Sequence, residues 1–241
     1  MDTAAERTLR RALLGGGVWG TLLSEEAGGT AIGVLDTRLE PVFSNLDPFE
    51  GNLPYRRGIR AHWFTALAIY GQDRTPKATG RMDHITGKII LADAAGAVVV
   101  ARAEAQAVPL HAAQTATLDD GFLQAYLMKP PFLYPPATAL RPLFEQAKFI
   151  LPNGGPTGFP DVARGRIDVY LVWDEALAEV FSAIHIAERA GCVVSQWDGS
   201  SVRFRPDIHR PHSLVCSTNP RLHDEVLPAL KWITPLKGFS P

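Results

Sequence analysis

The alternation of apolar and polar residues predicts a chain of mixed helices and strands. Residues 3–14 are rich in helix formers and place Leu9 and Leu13 on one face, which indicates an amphipathic helix. Three consecutive glycines at 15–17 end the pattern. The chain therefore opens with a helix that needs a partner surface for its apolar face.

Strand patterns follow in the first half of the chain. Residues 42–46 predict a short strand that runs directly into the segment 47–52. Residues 61–70 are long, apolar and aromatic, and their bulk on both faces predicts a central strand covered on two sides. A hairpin is predicted at 85–89 and a further strand at 98–103.

The second half begins differently. The proline-rich stretch 129–136 is typical of a linker or an irregular crossover. From Trp173 to Ala190 the apolar residues keep helical spacing, which predicts one long helix ended by Gly191. Strands are predicted at 193–194 and 214–216, and a helix after Pro220. These elements predict an α/β or α+β protein.

Length and composition narrow the function. The 241 residues fit one large unit or two closely packed subdomains, and we predict subdomains at 1–125 and 126–241. With 24 basic and 25 acidic residues, the chain lacks the positive charge of a nucleic-acid-binding protein. The longest small apolar run, 94–101, is too short to cross a membrane. Two cysteines and no signal peptide favour a reducing cytoplasm.

Acidic residues cluster at the boundaries of predicted elements. Glu25 and Glu26 follow an apolar pair, Asp47 and Glu50 flank a tight turn, and Asp174 opens the predicted long helix. Magnesium prefers oxygen ligands, and several carboxylates must converge to hold two ions. Each cluster alone also has an ordinary interpretation: a solvated surface pair, a simple turn and a helix cap, respectively.

The order of these clusters resembles the inositol monophosphatase family, which includes fructose bisphosphatases and bisphosphate nucleotidases. The motifs that carry the resemblance are Asp2 and Glu6 before Ser24-Glu25-Glu26-Ala27-Gly28, Asp47-Pro48-Phe49-Glu50-Gly51-Asn52, Trp173-Asp174 before Glu188-Arg189-Ala190-Gly191-Cys192, residues 163–170 and residues 217–223. The resemblance implies an α+β fold, layered as an α-β-α-β-α sandwich, and a homodimer.

The resemblance also implies an activity, the Mg²⁺-dependent hydrolysis of a small phosphate monoester by a metal-activated water. Two ions are expected, with Asp47 bridging them. The implied ligands are Glu25, Asp47 and the carbonyl of Phe49 for the first ion, and Asp47, Glu50 and Asp174 for the second. Glu25 would orient or deprotonate the attacking water, and the backbone amides of Gly51 and Asn52 would receive the phosphate.

This chain differs from the family pattern at two motif residues, in one loop and at its start, and each difference changes what we expect of the site. Glu50 and Asn52 replace an aspartate and a threonine, and an amide cannot relay a proton as a hydroxyl does. The loop between Asp168 and Asp174 is short, so inositol phosphate is not the expected substrate. The family's first helix and its lysine-bearing segment have no counterpart in this sequence, which predicts a more open site and leaves a third metal site and its lid undecided.

Several alternatives stay open at this point. The substrate is a sugar, polyol or nucleotide phosphate, a bisphosphate or an amino-alcohol phosphate. Arg56 and Arg57 either grip a second anionic group of that substrate or belong to a solvated basic loop. Residues 153–158 lack the ending of a nucleotide P-loop and fall near the expected substrate pocket. The rival function is a catalytically weak relative that binds a phosphorylated ligand or a partner protein.

Overall fold

The computed structural model describes residues 2–24, 26–34, 39–101, 106–134, 136–231 and 233. Within these residues the larger sheet has the strand order β2-β1-β3-β4-β5-β6-β7-β8. Its strands are β1 Gly20–Ser24, β2 Gly28–Ile32, β3 Val42–Glu50, β4 Phe64–Tyr70, β5 Pro76–Asp83, β6 Lys88–Asp93, β7 Gly96–Ala101 and β8 Ala107–Pro109. β1 and β3 run parallel, and the other neighbouring strands are antiparallel.

The smaller sheet has the order β10-β9-β11-β13-β12 in the described part of the chain. Its strands are β9 Phe122–Ala125, β10 Phe149–Pro152, β11 Val169–Glu175, β12 Val193–Gln196 and β13 His212–Ser217. β9 runs parallel to both of its neighbours, whereas β13 is antiparallel to β11 and β12. The subdomain boundary after residue 125 stays a prediction, and β9 on its N-terminal side belongs to this smaller sheet.

Helices alternate with the two sheets as layers. They are α1 Asp2–Gly15, α2 Asn52–Arg56, α3 Pro130–Leu133, α4 Pro136–Ala139, α5 Arg141–Gln146, α6 Gly158–Ala163, α7 Leu177–Phe181, α8 Ile184–Arg189 and α9 Pro220–Leu230. α1 covers the outer face of the larger sheet, α6, α7 and α8 lie between the sheets, and α9 packs on the far side of the smaller sheet. The expected α-β-α-β-α sandwich is confirmed.

Three apolar cores hold these layers together. The largest core lies between the sheets and joins Ala68 and Tyr70 of β4 to α6, α7 and α8. A second core joins the smaller sheet to α9, and a third joins α1 to the larger sheet through Leu13, with Leu9 beside it. Leu67 and Ile69 of β4 pack against the third core, so β4 is covered on two sides, as its sequence predicted.

The proline-rich stretch 129–136 lies in the crossover between the parallel strands β9 and β10 and includes α3 and the first residue of α4, because a proline at the first helical position has no amide hydrogen to leave unsatisfied. One predicted element was wrong. The single helix predicted from Trp173 to Ala190 is instead the end of β11 followed by α7 and α8. Residues 169–172 of β11 are all buried, because neighbouring elements cover them. A strand that is buried on both faces shows no alternation of apolar and polar residues, so its two-residue period is not visible in the sequence.

Membrane insertion finds no support in the helices. Within the described ranges, no helix combines the length and the apolar character that crossing a membrane requires.

His185 of α8 is held neutral in the core between the sheets. Its side chain is 1% exposed, and burial, followed by the charge of Arg189, lowers its pKa to about 4. Arg189 Nε donates to His185 Nε2 at 2.8 Å, so the ring proton is on Nδ1 and points to Thr79 Oγ1 at 3.3 Å. The imidazole therefore has no place for a second proton in the folded state.

We expect acid to destabilise the fold through this residue. A histidine whose pKa is about 4 when folded and about 6.5 when unfolded takes up a proton preferentially in the unfolded chain. The stability is present above pH 6.5 and is lost as the pH falls toward 4, by about 2 kcal/mol between pH 7 and pH 5. In urea unfolding at pH 7 and pH 5, His185→Gln should lose about 2 kcal/mol less stability on acidification than the parent protein. Exposed His111→Gln should lose as much stability as the parent protein. Parallel curves for all three proteins would contradict this assignment.

Candidate metal and phosphate site

Asp47 lies in β3 at the point where the ladder with β4 is interrupted. Asp47 pairs with Ala66 and Glu50 pairs with Phe64, so β3 uses one more residue than β4 between these pairs. The extra residue forms a bulge at Pro48 and Phe49, where proline has no amide hydrogen for the ladder. Thr65 Oγ1 donates to the carbonyl of Pro48 at 2.8 Å and fixes the bulge.

The bulge places two carboxylates on one side of the sheet. In a regular strand, side chains three residues apart point to opposite faces. Because the bulge adds half a period, Asp47 and Glu50 instead approach one another. Asp47 is only 1% exposed, and Glu50 is half-buried. The turn predicted from Asp-Pro-x-Glu-Gly is thus an irregular strand end rather than a loop.

Gly51 ends β3 and leads into α2. Its φ is +88°, in the left-handed region, and a methyl group there would overlap the carbonyl oxygen of His62. Only glycine satisfies both conditions at this position. The chain can therefore turn directly after Glu50, which brings Gly51 and Asn52 to the edge of the cavity described below.

Glu179 is brought to the same place by the short helix α7. Asn45 Nδ2 donates to the carbonyl of Leu177 at 3.3 Å, and Tyr70 Oη donates to the carbonyl of Phe181 at 2.7 Å. Both ends of α7 are thereby tied to the larger sheet. Four of the five helix residues are buried, and Glu179 is half-buried among them.

Asp47, Glu50 and Glu179 form an acidic cluster. Each offers a carboxylate oxygen, and these three oxygens lie within 4.8 Å of one another. Hard divalent cations take carboxylate oxygens at about 2.0–2.6 Å, so oxygens at this spacing can share one ion. Three close carboxylates also repel one another unless a cation neutralises them. The donor set of the cluster fits a divalent metal.

Gly155 packs directly against the acidic cluster. Its φ is +66°, and a Cβ there would lie 2.6 Å from Glu179 Oε2 and 3.3 Å from Glu50 Oε2. Any side chain at 155 would therefore displace these carboxylates. The glycine-rich segment 153–158 is part of the site by this packing, as the resemblance suggested, and not as a nucleotide loop.

The cluster opens into a cavity of about 420 Å³. Its lining includes Gly51, Asn52, Asp174, Glu175 and residues 208–211. Glu175 is buried at 5% exposure, and burial followed by the charge of Glu50 raises its pKa to about 8. Burial also raises the pKa of Asp174, whose φ of +52° is rare for a non-glycine residue. The acidic wall of this cavity thus carries more carboxylates than the cluster itself.

Cationic and aromatic residues line the remainder of the cavity. Lys129, Arg210 and His209 are among them. Lys129 Nζ lies 5.7 Å from the ring centre of Tyr126 and 5.9 Å from that of Phe132. The charge of Lys129 reaches Glu175, whose pKa it lowers against the larger effect of burial. A ligand in this cavity meets carboxylates on one side and cations with aromatic rings on another.

The predicted site residues have different outcomes in the structure. Asp47, Phe49, Glu50, Gly51 and Asn52 all lie at or beside the acidic cluster. Asp174 lines the cavity at the end of β11 and is not part of the acidic cluster, whose third member is Glu179. Glu25 falls outside the described residues. Arg56 and Arg57 are exposed at the end of α2, away from the cavity lining.

Sequence reasoning missed Glu179, Lys129 and Arg210. Glu179 had one usable signal, since it interrupts the apolar run Leu177–Phe181. A carboxylate among residues that are otherwise buried needs a partner charge or a metal. Lys129 and Arg210 had no such signal, because each is an ordinary basic residue beside a proline or a histidine.

We expect Gly51→Ala to destabilise the fold by about 3 kcal/mol, because it adds an overlap with His62 to a strained left-handed conformation. Gly58→Ala is the matched control. Gly58 has a φ of +70° with no atom within 4 Å of the added carbon, and alanine there should cost only about 1 kcal/mol. Chemical unfolding of both variants measures the difference. Equal losses would mean that the backbone at Gly51 can move away from His62.

Comparison with known proteins gives a clear result for the fold. No protein-family profile matches the sequence, and no curated protein matches it. Many solved structures do match. Inositol monophosphatase from Anabaena (Nostoc) sp. PCC 7120 has a TM-score of 0.76 at 18% identity, covering 98% of this chain and 87% of that one.

Two further structures agree. The extragenic suppressor protein suhB from Bartonella henselae has a TM-score of 0.76 at 19% identity, covering 96% of this chain and 84% of that one. The 2'AMP-bound SaIMPase-II has a TM-score of 0.76 at 20% identity, covering 95% and 83%. The chain therefore has the fold of the inositol monophosphatases.

Proposed function

We propose that the protein is a divalent-metal-dependent phosphatase that hydrolyses a small phosphate monoester. The observation that carries the proposal is the acidic cluster of Asp47, Glu50 and Glu179 at the edge of a 420 Å³ cavity. The fold shared with inositol monophosphatases supports the same reaction class. Hydrolysis adds water across the ester bond, so the products are inorganic phosphate and an alcohol.

The cluster would hold Mg²⁺ through carboxylate oxygens, with Glu25 and the carbonyl of Phe49 as the further ligands implied by the resemblance. Two ions are proposed, and Asp47 would help to hold both. A bound divalent cation supplies an acidified water and neutralises charge on the phosphate oxygens. Asp174 is proposed to act beside the cluster rather than in it, because it lies on the cavity wall.

The chain's own groups then have separate roles. The backbone amides of Gly51 and Asn52, at the edge of the cavity, donate to the phosphate oxygens. The side-chain amide of Asn52 hydrogen-bonds the attacking water and orients it, with Glu25 as the proposed proton acceptor. Gly155 has no side chain, so its backbone packs directly against the carboxylates of Glu50 and Glu179, and these two groups stay close together.

The alcohol part of the substrate would extend toward the cationic wall. Lys129 and Arg210 suit an additional anionic group, and the rings of Tyr126 and Phe132 suit a sugar or a base. This wall, rather than exposed Arg56 and Arg57, is the proposed binding surface for that group. The proposed substrates are sugar, polyol and nucleotide phosphates. A cytoplasmic homodimer remains the expected form of the enzyme.

The test is phosphate release from a panel of phosphate esters. The panel contains a sugar bisphosphate, 2'-AMP, a nucleotide bisphosphate, histidinol phosphate and inositol monophosphate. We expect release from at least one ester with Mg²⁺, complete loss on chelation and recovery when Mg²⁺ is restored. Mg²⁺ should also raise the melting temperature of the protein without substrate. No release together with no thermal shift would favour the rival function, a module that binds a ligand or a partner.

A further inference from the structure

A second cavity of about 610 Å³ lies at the other end of β4 from the acidic cluster. Glu50 pairs with Phe64 at one end of β4, and Tyr70 at the opposite end lines this second cavity. The two cavities share no lining residue, although Phe181 of the second cavity lies only two residues after Glu179 of the acidic cluster on α7. The proposed phosphatase reaction uses none of the residues of this cavity.

The rim of the second cavity is rich in arginine. Arg74, Arg203 and Arg205 all line it. No hydrogen bond or ion pair joins any of these three side chains to another residue among those the structure describes. The acidic residues of the lining are Asp73 and Glu188, and Asp73 is already bound by Lys77 at 3.1 Å. The cavity therefore keeps an excess of positive charge.

Arg74 is fixed in place before any ligand binds. It lies in the turn between β4 and β5, where Asp73 accepts hydrogen bonds from the backbone and hydroxyl of Thr75 at 3.0 and 2.8 Å. The guanidinium of Arg74 lies 4.1 Å from the ring centre of Phe43, a cation–π contact. Its φ of +67° is a strained conformation that the turn imposes.

Arg203 and Arg205 are exposed, and the backbone that carries them is anchored by the residue between them. Phe204 is 4% exposed and stacks on Tyr70 with ring centres 3.9 Å apart and planes 6° apart. It also makes an edge contact with Phe181 at 5.5 Å. This anchor holds the arginines on either side of Phe204 at the rim, and the same aromatic rings form an apolar floor.

We infer that this second cavity binds a small organic polyanion, with two or more phosphate or carboxylate groups on the arginine rim and an apolar or flat body against the floor. Guanidinium groups recognise such anions through paired hydrogen bonds. Neutralising three neighbouring cations also removes their mutual repulsion. Since the cavity is separate from the acidic cluster, binding there requires no metal.

The experiment measures ATP and pyrophosphate binding by calorimetry in the presence of EDTA, so that no divalent cation occupies the acidic cluster. We expect the parent protein to bind ATP more tightly than pyrophosphate, since only ATP carries a body for the floor. The double variant Arg203→Gln with Arg205→Gln should weaken ATP binding by about ten-fold or more. Glutamine keeps much of the side-chain length, and Phe204 keeps its stack, so thermal melting should be unchanged.

Two control variants locate the bound anion. Exposed Arg56→Gln with Arg57→Gln removes the same charge elsewhere and should leave ATP binding unchanged. Lys129→Gln with Arg210→Gln removes cations from the cavity of the proposed phosphatase site and measures any ATP bound there, and in that background Arg203→Gln with Arg205→Gln should still weaken ATP binding. The inference is overturned if the parent protein binds neither anion at millimolar concentration, or if only the Lys129 and Arg210 variant loses binding. A loss confined to the Lys129 and Arg210 variant would place the anion in the cavity of the proposed phosphatase site, whereas an absence of binding leaves metal-dependent phosphate release unaffected.

Discussion

Replacing Asp47 by asparagine is expected to reduce Mg²⁺-dependent phosphate release by about 10³-fold, equivalent to ~4 kcal/mol in the activation barrier. Asp47 is the most deeply buried member of the acidic cluster, and the proposal gives it both metal ions. Asparagine keeps the size of the side chain but removes the charge that attracts a cation. The Mg²⁺-induced rise in melting temperature should disappear with the activity.

The same substitution should not weaken the fold in metal-free buffer. Removing a buried charge from beside Glu50 and Glu179 relieves repulsion, and we expect the melting temperature to rise by about 2–4 °C. Exposed Asp119→Asn is the matched control and should change neither quantity. A variant that lost activity because it lost its structure would melt at a lower temperature instead, and that result would remove the support for a metal role.

The β3 part of the site could be predicted because its geometry is local. Pro48 cannot donate to a ladder and Gly51 can adopt the required φ, so residues 47–52 predicted a break in the strand with two carboxylates beside it, although the break is an irregular strand end rather than a turn. The resemblance to a known family then supplied the role of the carboxylates. Neither inference depended on which distant segment packs against this turn.

The second contribution to the cluster could not be predicted in the same way. Buried strands and buried helix segments both appear as apolar runs, and the spacing from Trp173 to Ala190 fits either structure. The resemblance made Asp174 the expected ligand, and interpreting this run as a helix placed Asp174 in the first turn of that helix. The observed strand ends at Glu175, and only the next element, α7, reaches the cluster.

The basic residues that are close to the Asp47–Asn52 motif in sequence are not the ones that line the cavity. Arg56 and Arg57 lie only four and five residues after Asn52, but at the end of α2 they are exposed at the surface. Lys129 and Arg210 are 81 residues apart in the numbering and meet at one cavity because the loops after β9 and before β13 converge there. Such convergence depends on the whole fold, and no local pattern encodes it.

Glu179→Gln is expected to raise the Mg²⁺ concentration for half-maximal activity by about 100-fold or more, whereas Asp174→Asn should raise it by less than about ten-fold. Glu179 offers an oxygen within 4.8 Å of those of Asp47 and Glu50, and Asp174 lies on the cavity wall beyond them. Loss of a direct ligand removes a bond to the ion, whereas loss of a neighbouring charge only weakens the field around it.

A comparison of these two variants decides whether Asp174 or Glu179 is the metal ligand. Both substitutions remove one negative charge from the same cavity and keep the side-chain size, so a purely electrostatic effect would make them equal. Mg²⁺-induced thermal shifts provide a readout that does not depend on turnover. If Asp174→Asn abolishes the shift and Glu179→Gln keeps it, the ligand is the aspartate of Trp173-Asp174, and α7 only packs beside the metal. If Glu179→Gln alone abolishes the shift, α7 supplies the ligand, and the short loop before Asp174 has no bearing on metal binding.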